Sequence, residues 1–93
     1  MKKETFENVW EALGEGNDAA ANLQARAELM FALEDHIKAK GWTQKEAASQ
    51  LGVAQPRISE LKHGKIDLFS LDQLVTLLSR VGLRVDMQVN KAA

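Results

Sequence analysis

The sequence predicts a mainly α-helical fold of about five helices followed by one C-terminal β-strand. Three observations predict it. Apolar residues recur at helical spacing in successive segments. Two of those segments open on reciprocal capping residues, and the apolar period changes from 3.6 to 2 after Gly82. Ninety-three residues are one domain, 1–93, with a single modest core and little room for a deep cavity.

Phe6, Val9, Trp10 and Leu13 fall at i, i+3, i+4 and i+7, which predicts an N-terminal helical segment within residues 1–17, closed by Gly14 and Gly16. A long helix is expected from about Ala19 to Lys40. Leu23, Ala27, Met30, Leu33 and Ile37 form its apolar stripe and Gly41 its stop. Thr43 and Glu46 make a capping box for a short helix that runs to Leu51 and breaks at Gly52. A second short helix opens near Gln55 and ends at Gly64. Pro56, the only proline, suits its first turn, where an N–H has no intrahelical partner. Ser70 and Gln73 repeat the capping box, with Phe69 and Leu74 placed as a hydrophobic staple. Leu71, Leu74, Val75, Leu77, Leu78 and Val81 then form a broad apolar helix face, ended by Gly82. Finally, Leu83, Val85, Met87 and Val89 alternate with Arg84, Asp86 and Gln88, which predicts a half-buried strand over 83–89. A lone strand leaves its backbone bonds unmade, so these four residues are expected to pair with a second copy in a homodimer, or else with an unseen strand of the same chain.

The net charge of −1 conceals a strong asymmetry. Residues 1–36 carry three bases and eight acids. Residues 37–65 carry six bases (Lys38, Lys40, Lys45, Arg57, Lys62, Lys65) and two acids, Glu46 and Glu60. The middle third is therefore the part suited to phosphate. The absence of cysteine excludes disulfides and thiolate chemistry and fits a reducing compartment. No apolar run reaches membrane-span length, and the N-terminus lacks a signal-peptide core, so a cytoplasmic, nucleoid-associated protein without a membrane partner is expected. His36 and His63 stand alone, and Glu34 and Asp35 point in different directions on a helix. No catalytic residues, metal or cofactor, and no enzyme activity, are expected. Trp42 reads as a core or helix-entry residue.

Residues 43–64 place small and apolar side chains where two short helices cross closely. Ala47, Ala48 and Leu51 lie on the first, Gly52 and Val53 in the turn, and Ile58 and Leu61 under the second. This string, WTQKEAASQLGVAQPRISELKHGKIDLFSLDQLVTLLSRVG over residues 42–82, resembles the helix-turn-helix of phage repressor and Cro proteins and the Xre family. Short HigA-type antitoxins resemble it further in the NVWEALG segment (Asn8 to Gly14), in GKIDLFSLD (Gly64 to Asp72) and in a short strand after the last helix.

The resemblance implies a lambda-repressor-like bundle that docks its second short helix in the major groove of double-stranded DNA. It implies base reading by Gln55, Pro56, Arg57, Ser59 and Glu60, and phosphate contacts by Thr43, Gln44, Lys45, Lys62, His63 and Lys65. Ala54 departs from the Ser or Thr cap of many relatives, and Pro56 from a residue that often touches bases. The implied function is a dimeric transcriptional regulator on a palindromic operator, the antitoxin of a type II pair that represses its own operon. A RelE/HigB-type toxin is the implied partner, with Phe6, Val9, Trp10 and Leu13 as its contact; the same face also reads as a flap over the protein's own core. A stand-alone Xre-type repressor and a protein-interaction module reusing the fold are the alternatives.

Overall fold

The computed structural model describes residues 16–91, with four α-helices in the order α1 (Gly16–Lys40), α2 (Gln44–Leu51), α3 (Gln55–Lys62) and α4 (Leu71–Arg80). A 3-10 turn, Ile66–Leu68, links α3 to α4. The described fold therefore has four helices where about five were expected; residues 1–15, with most of the expected N-terminal segment, lie outside the described residues, and Gly16, expected to close that segment, instead begins α1 three residues before Ala19.

Each helix stops the same way. Gly41, Gly52, Gly64 and Gly82 have φ of +70°, +70°, +67° and +83°. Each glycine N–H donates three residues back, and the next residue donates five back, as in Val53 to the Ala48 carbonyl at 3.0 Å. This double closure satisfies helix-end carbonyls, and the left-handed backbone it needs is open to glycine at little cost. At their starts, α2 and α4 carry complete capping boxes, from Thr43 with Glu46 and from Ser70 with Gln73.

α1 packs along α4, and α2 packs against α3. Their shared core holds Met30, Leu33 and Ile37 of α1, Ala47, Ala48 and Leu51 of α2, Ile58 and Leu61 of α3, Phe69, and Leu74, Leu77 and Leu78 of α4. Each large apolar side chain buried there stabilises the fold by about 1.5–3 kcal/mol. Ala47 and Ala48 are small enough to let α3 approach α2. The α1 stripe is only half used. Leu23 is 39% exposed and Ala27 is exposed, because the 25-residue α1 extends beyond the ten-residue α4 it packs on. Trp42 is half-buried at the entry to α2, edge-on to His36 at 5.7 Å.

The strand over 83–89 is not present, and no strand occurs among the described residues. Leu83 and Val85 do turn inward and pack on the core, while Arg84 and Asp86 pair outward at 3.0 Å. Met87 and Val89 are 83% and 90% exposed. Alternation put the right side chains inward for the first two pairs. A strand also needs a backbone ladder, and no described segment runs alongside to supply one.

Candidate nucleic-acid interface

α2 and α3, with the turn Gly52–Ala54 between them, present a continuous outer surface. Their apolar undersides turn Ile58 and Leu61 into the core and leave Gln55 and Pro56 exposed in the first turn of α3. Gln44, at the N-terminus of α2, comes into one open concavity with Gln55, Pro56, Ser59 and Glu60. These five residues span seventeen positions of sequence, and the tight α2–α3 crossing is what brings them together. Backbone N–H groups at the start of α2 add partial positive charge beside Gln44.

The predicted phosphate residues fall into two groups, one at the start of α2 and one at the end of α3. Lys45 is exposed on the first turn of α2. Thr43 is exposed, but its Oγ1 accepts from the Glu46 N–H at 3.1 Å, so it is chiefly a cap. Lys62, His63 and Lys65 are exposed at the opposite end of α3. The His63 Nδ1–H donates to the Ser59 carbonyl at 2.8 Å, which folds the ring back against its helix.

Arg57 is placed differently. Its Nη1 donates to Glu60 Oε1 and to the Leu68 carbonyl, both at 2.9 Å, and its Nη2 donates to Gln73 Oε1 at 3.3 Å. The guanidinium lies 4.1 Å from the centroid of the buried Phe69 ring. Arg57 and Glu60 thus form an ion pair on the inner edge of α3, with side chains 28% and 32% exposed. Arg57 precedes Leu61 by one helical turn and shares its side of the helix. That spacing was the available signal that Arg57 faces inward.

Two further arginines that sequence reasoning left without a role act in the same manner. Arg26 Nη1 donates to the Ile66 carbonyl at 3.1 Å while its Nε donates to Asn22 at 2.7 Å. Arg80 Nη1 donates to the Leu51 carbonyl at 2.9 Å, fastening α4 to the end of α2. Arg26 precedes Met30 by four residues and Leu33 by seven, so a cation standing in line with the core stripe was its sequence signal. Among the described residues there is no cluster of His, Cys, Asp or Glu able to hold a metal, and no helix long and apolar enough to cross a membrane.

Two short helices crossing at a glycine turn, with a polar outer face at the second, define a helix-turn-helix domain. A family model described as a helix-turn-helix domain matches residues 12–90. A solved structure assigned to the XRE family of transcriptional regulators is similar at a TM-score of 0.74 and 32% identity, over 80% of this chain and 83% of that chain. No curated protein matches the chain. The chain belongs to the XRE family of helix-turn-helix proteins.

Proposed function

We propose that this protein is a sequence-specific, double-stranded-DNA-binding transcriptional regulator that lays α3 in the major groove and α2 across the backbone. The observation that carries this reading is the concavity joining Gln44 to Gln55, Pro56 and Ser59, in a member of a helix-turn-helix family. Gln55 is the principal base reader, since its amide matches adenine N6 and N7 together. Pro56 offers apolar contact to a thymine methyl, and Ser59 a hydroxyl to either kind of edge. Gln44 and Lys45 hold one phosphate strand, with Thr43 beside them, and Lys62, His63 and Lys65 flank the other. Glu60 can accept from cytosine N4 only if its pairing with Arg57 leaves an oxygen for it.

An eight-residue reading helix covers few base pairs, so the functional species is a homodimer on a palindromic operator with half-sites about 34 Å apart. Met87 and Val89, apolar and exposed, are the contacts proposed for the second copy, next to the inward-turned Leu83 and Val85. The protein acts in the cytoplasm, at the nucleoid. The HigA-type resemblance makes it the autoregulating antitoxin of a basic RelE/HigB-type toxin. The excess of acids in residues 1–36 favours such a partner. The proposed toxin contacts Phe6, Val9, Trp10 and Leu13 lie outside the described residues.

Selection of bound sequences from random duplex DNA, with the mass of the protein measured in solution, tests the reading. A two-fold symmetric site and a dimer mass are expected. Gln55→Ala should relax preference at one base pair per half-site, costing about 1–3 kcal/mol there with the circular dichroism unchanged. Absence of any salt-dependent DNA binding would make the domain an interaction module instead. Deleting residues 1–17 should abolish toxin capture and leave operator selection intact.

A further inference from the structure

We infer that Arg57 is a positioning residue. It locks the reading helix α3 onto the N-terminus of α4 and takes no part in reading bases; this rests on the DNA-binding reading above. Both Nη1 hydrogens have acceptors at 2.9 Å, one of them the Leu68 carbonyl of the 3-10 turn and the other Glu60 on its own helix. Nη2 reaches Gln73 Oε1, which also accepts the Ser70 N–H at 3.0 Å in the α4 capping box. With two donors converging on it, the oxygen end of the Gln73 amide is fixed toward Arg57. The guanidinium plane meanwhile covers Phe69, which is 2% exposed.

One side chain therefore ties α3, the 3-10 turn and the α4 cap together. A bidentate contact with guanine needs an adjacent pair of donors presented outward. Turning Arg57 toward DNA would break the Glu60 pair, leave the Leu68 carbonyl without this donor and uncover Phe69. The orientation of α3 against the bundle decides where Gln55 and Ser59 meet the groove, so the lock acts on affinity for every sequence alike. Glu60 holds Arg57 in place from the same helix.

The test compares the full-length protein with its Arg57→Met variant, which keeps an apolar stem over Phe69. Both are put through selection from random duplex DNA and through titration at several salt concentrations. The expected result is the same base preference at every position, a Kd about tenfold weaker for all sequences, and an unchanged slope of log Kd against log salt. Loss of preference at a single base pair, or a slope smaller by about one, would overturn the assignment. If Arg57→Met does not fold, Arg57→Lys is substituted. It retains the charge but cannot fork between Leu68 and Gln73, so the base preference alone decides: the same preference with weaker binding of every sequence supports the lock, and a preference lost at one base pair overturns it.

A second measurement is independent of DNA. Gln73→Glu retains the capping box and charges the acceptor, so it should raise the thermal midpoint more in the Arg57 protein than in the Arg57→Met protein, where only the helix N-terminus favours the new carboxylate. Equal shifts in both backgrounds would remove the lock. If the unmodified protein selects no DNA, the DNA-binding reading fails, while coupled shifts between positions 57 and 73 still support the lock itself.

Discussion

α2 and α3 are both eight residues long, lie against each other, and end at a left-handed glycine, yet they begin differently. α2 opens on a complete capping box. α3 opens on Ala54, whose backbone has the extended geometry of a cap (φ −74°, ψ 150°) but whose side chain makes no capping bond. Pro56 in its first turn removes one unmatched donor and supplies no acceptor. α2 therefore carries its own instructions at both ends. α3 depends at its start on its neighbours, through Ile58 and Leu61 in the core and Arg57 on the α4 cap. The helix proposed to meet DNA is the one whose position is set from outside itself.

Several substitutions can break or sharpen this contrast. The largest effect is expected from Ile58→Ala, which should cost about 2–4 kcal/mol in urea unfolding, because this residue is 2% exposed. A loss below about 1 kcal/mol would mean that core burial is not what holds α3. Gly52→Ala should cost about 1–2 kcal/mol through its φ of +70°. An added Cβ would meet Arg80 Nη1 at an ordinary 3.6 Å, so the loss measures backbone conformation and not a clash. Thr43→Ala makes α2 begin like α3 and should cost about 1 kcal/mol. A neutral result would show that tertiary packing also supplies the start of α2. Ala54→Ser makes α3 begin like α2, and a gain of about 0.5 kcal/mol is expected in the same unfolding assay. The gain is small because Pro56 has no N–H to cap, and the Arg57 N–H already donates to the Ala54 carbonyl at 2.9 Å. A loss of stability would mean that Ala54 is there for packing.

Most of the fold was legible in advance for the same reason that α2 is self-sufficient. The four glycines and the two capping boxes act within one turn of chain, so residue type and spacing suffice to place helix ends. The core followed from periodicity for Leu33, Leu51, Ile58 and Leu74, all buried. It failed for Leu23 and Ala27 because periodicity marks an apolar face without saying how far the packing partner extends. It failed for residues 83–89 because alternation describes side chains only, while a strand is a statement about a second backbone. In the candidate interface, Gln44, Gln55, Pro56 and Ser59 line one surface. Arg57 was expected among the outward residues, since a lone arginine on a DNA-reading helix carries the right chemistry for guanine and phosphate.

By itself the sequence determined where α2, α3 and α4 begin and where each described helix ends, which segments pair as a helix-turn-helix, and where the positive charge gathers. Tertiary structure decided which distant acceptors Arg26, Arg57 and Arg80 take. The acceptors of Arg57 outside its own helix lie 11 and 16 residues away, and the Ile66 carbonyl held by Arg26 lies 40 away. Caps and glycine turns are short-range, with their partners a few residues off. A long flexible guanidinium is committed only by whatever carbonyls and rings the assembled bundle brings within its reach.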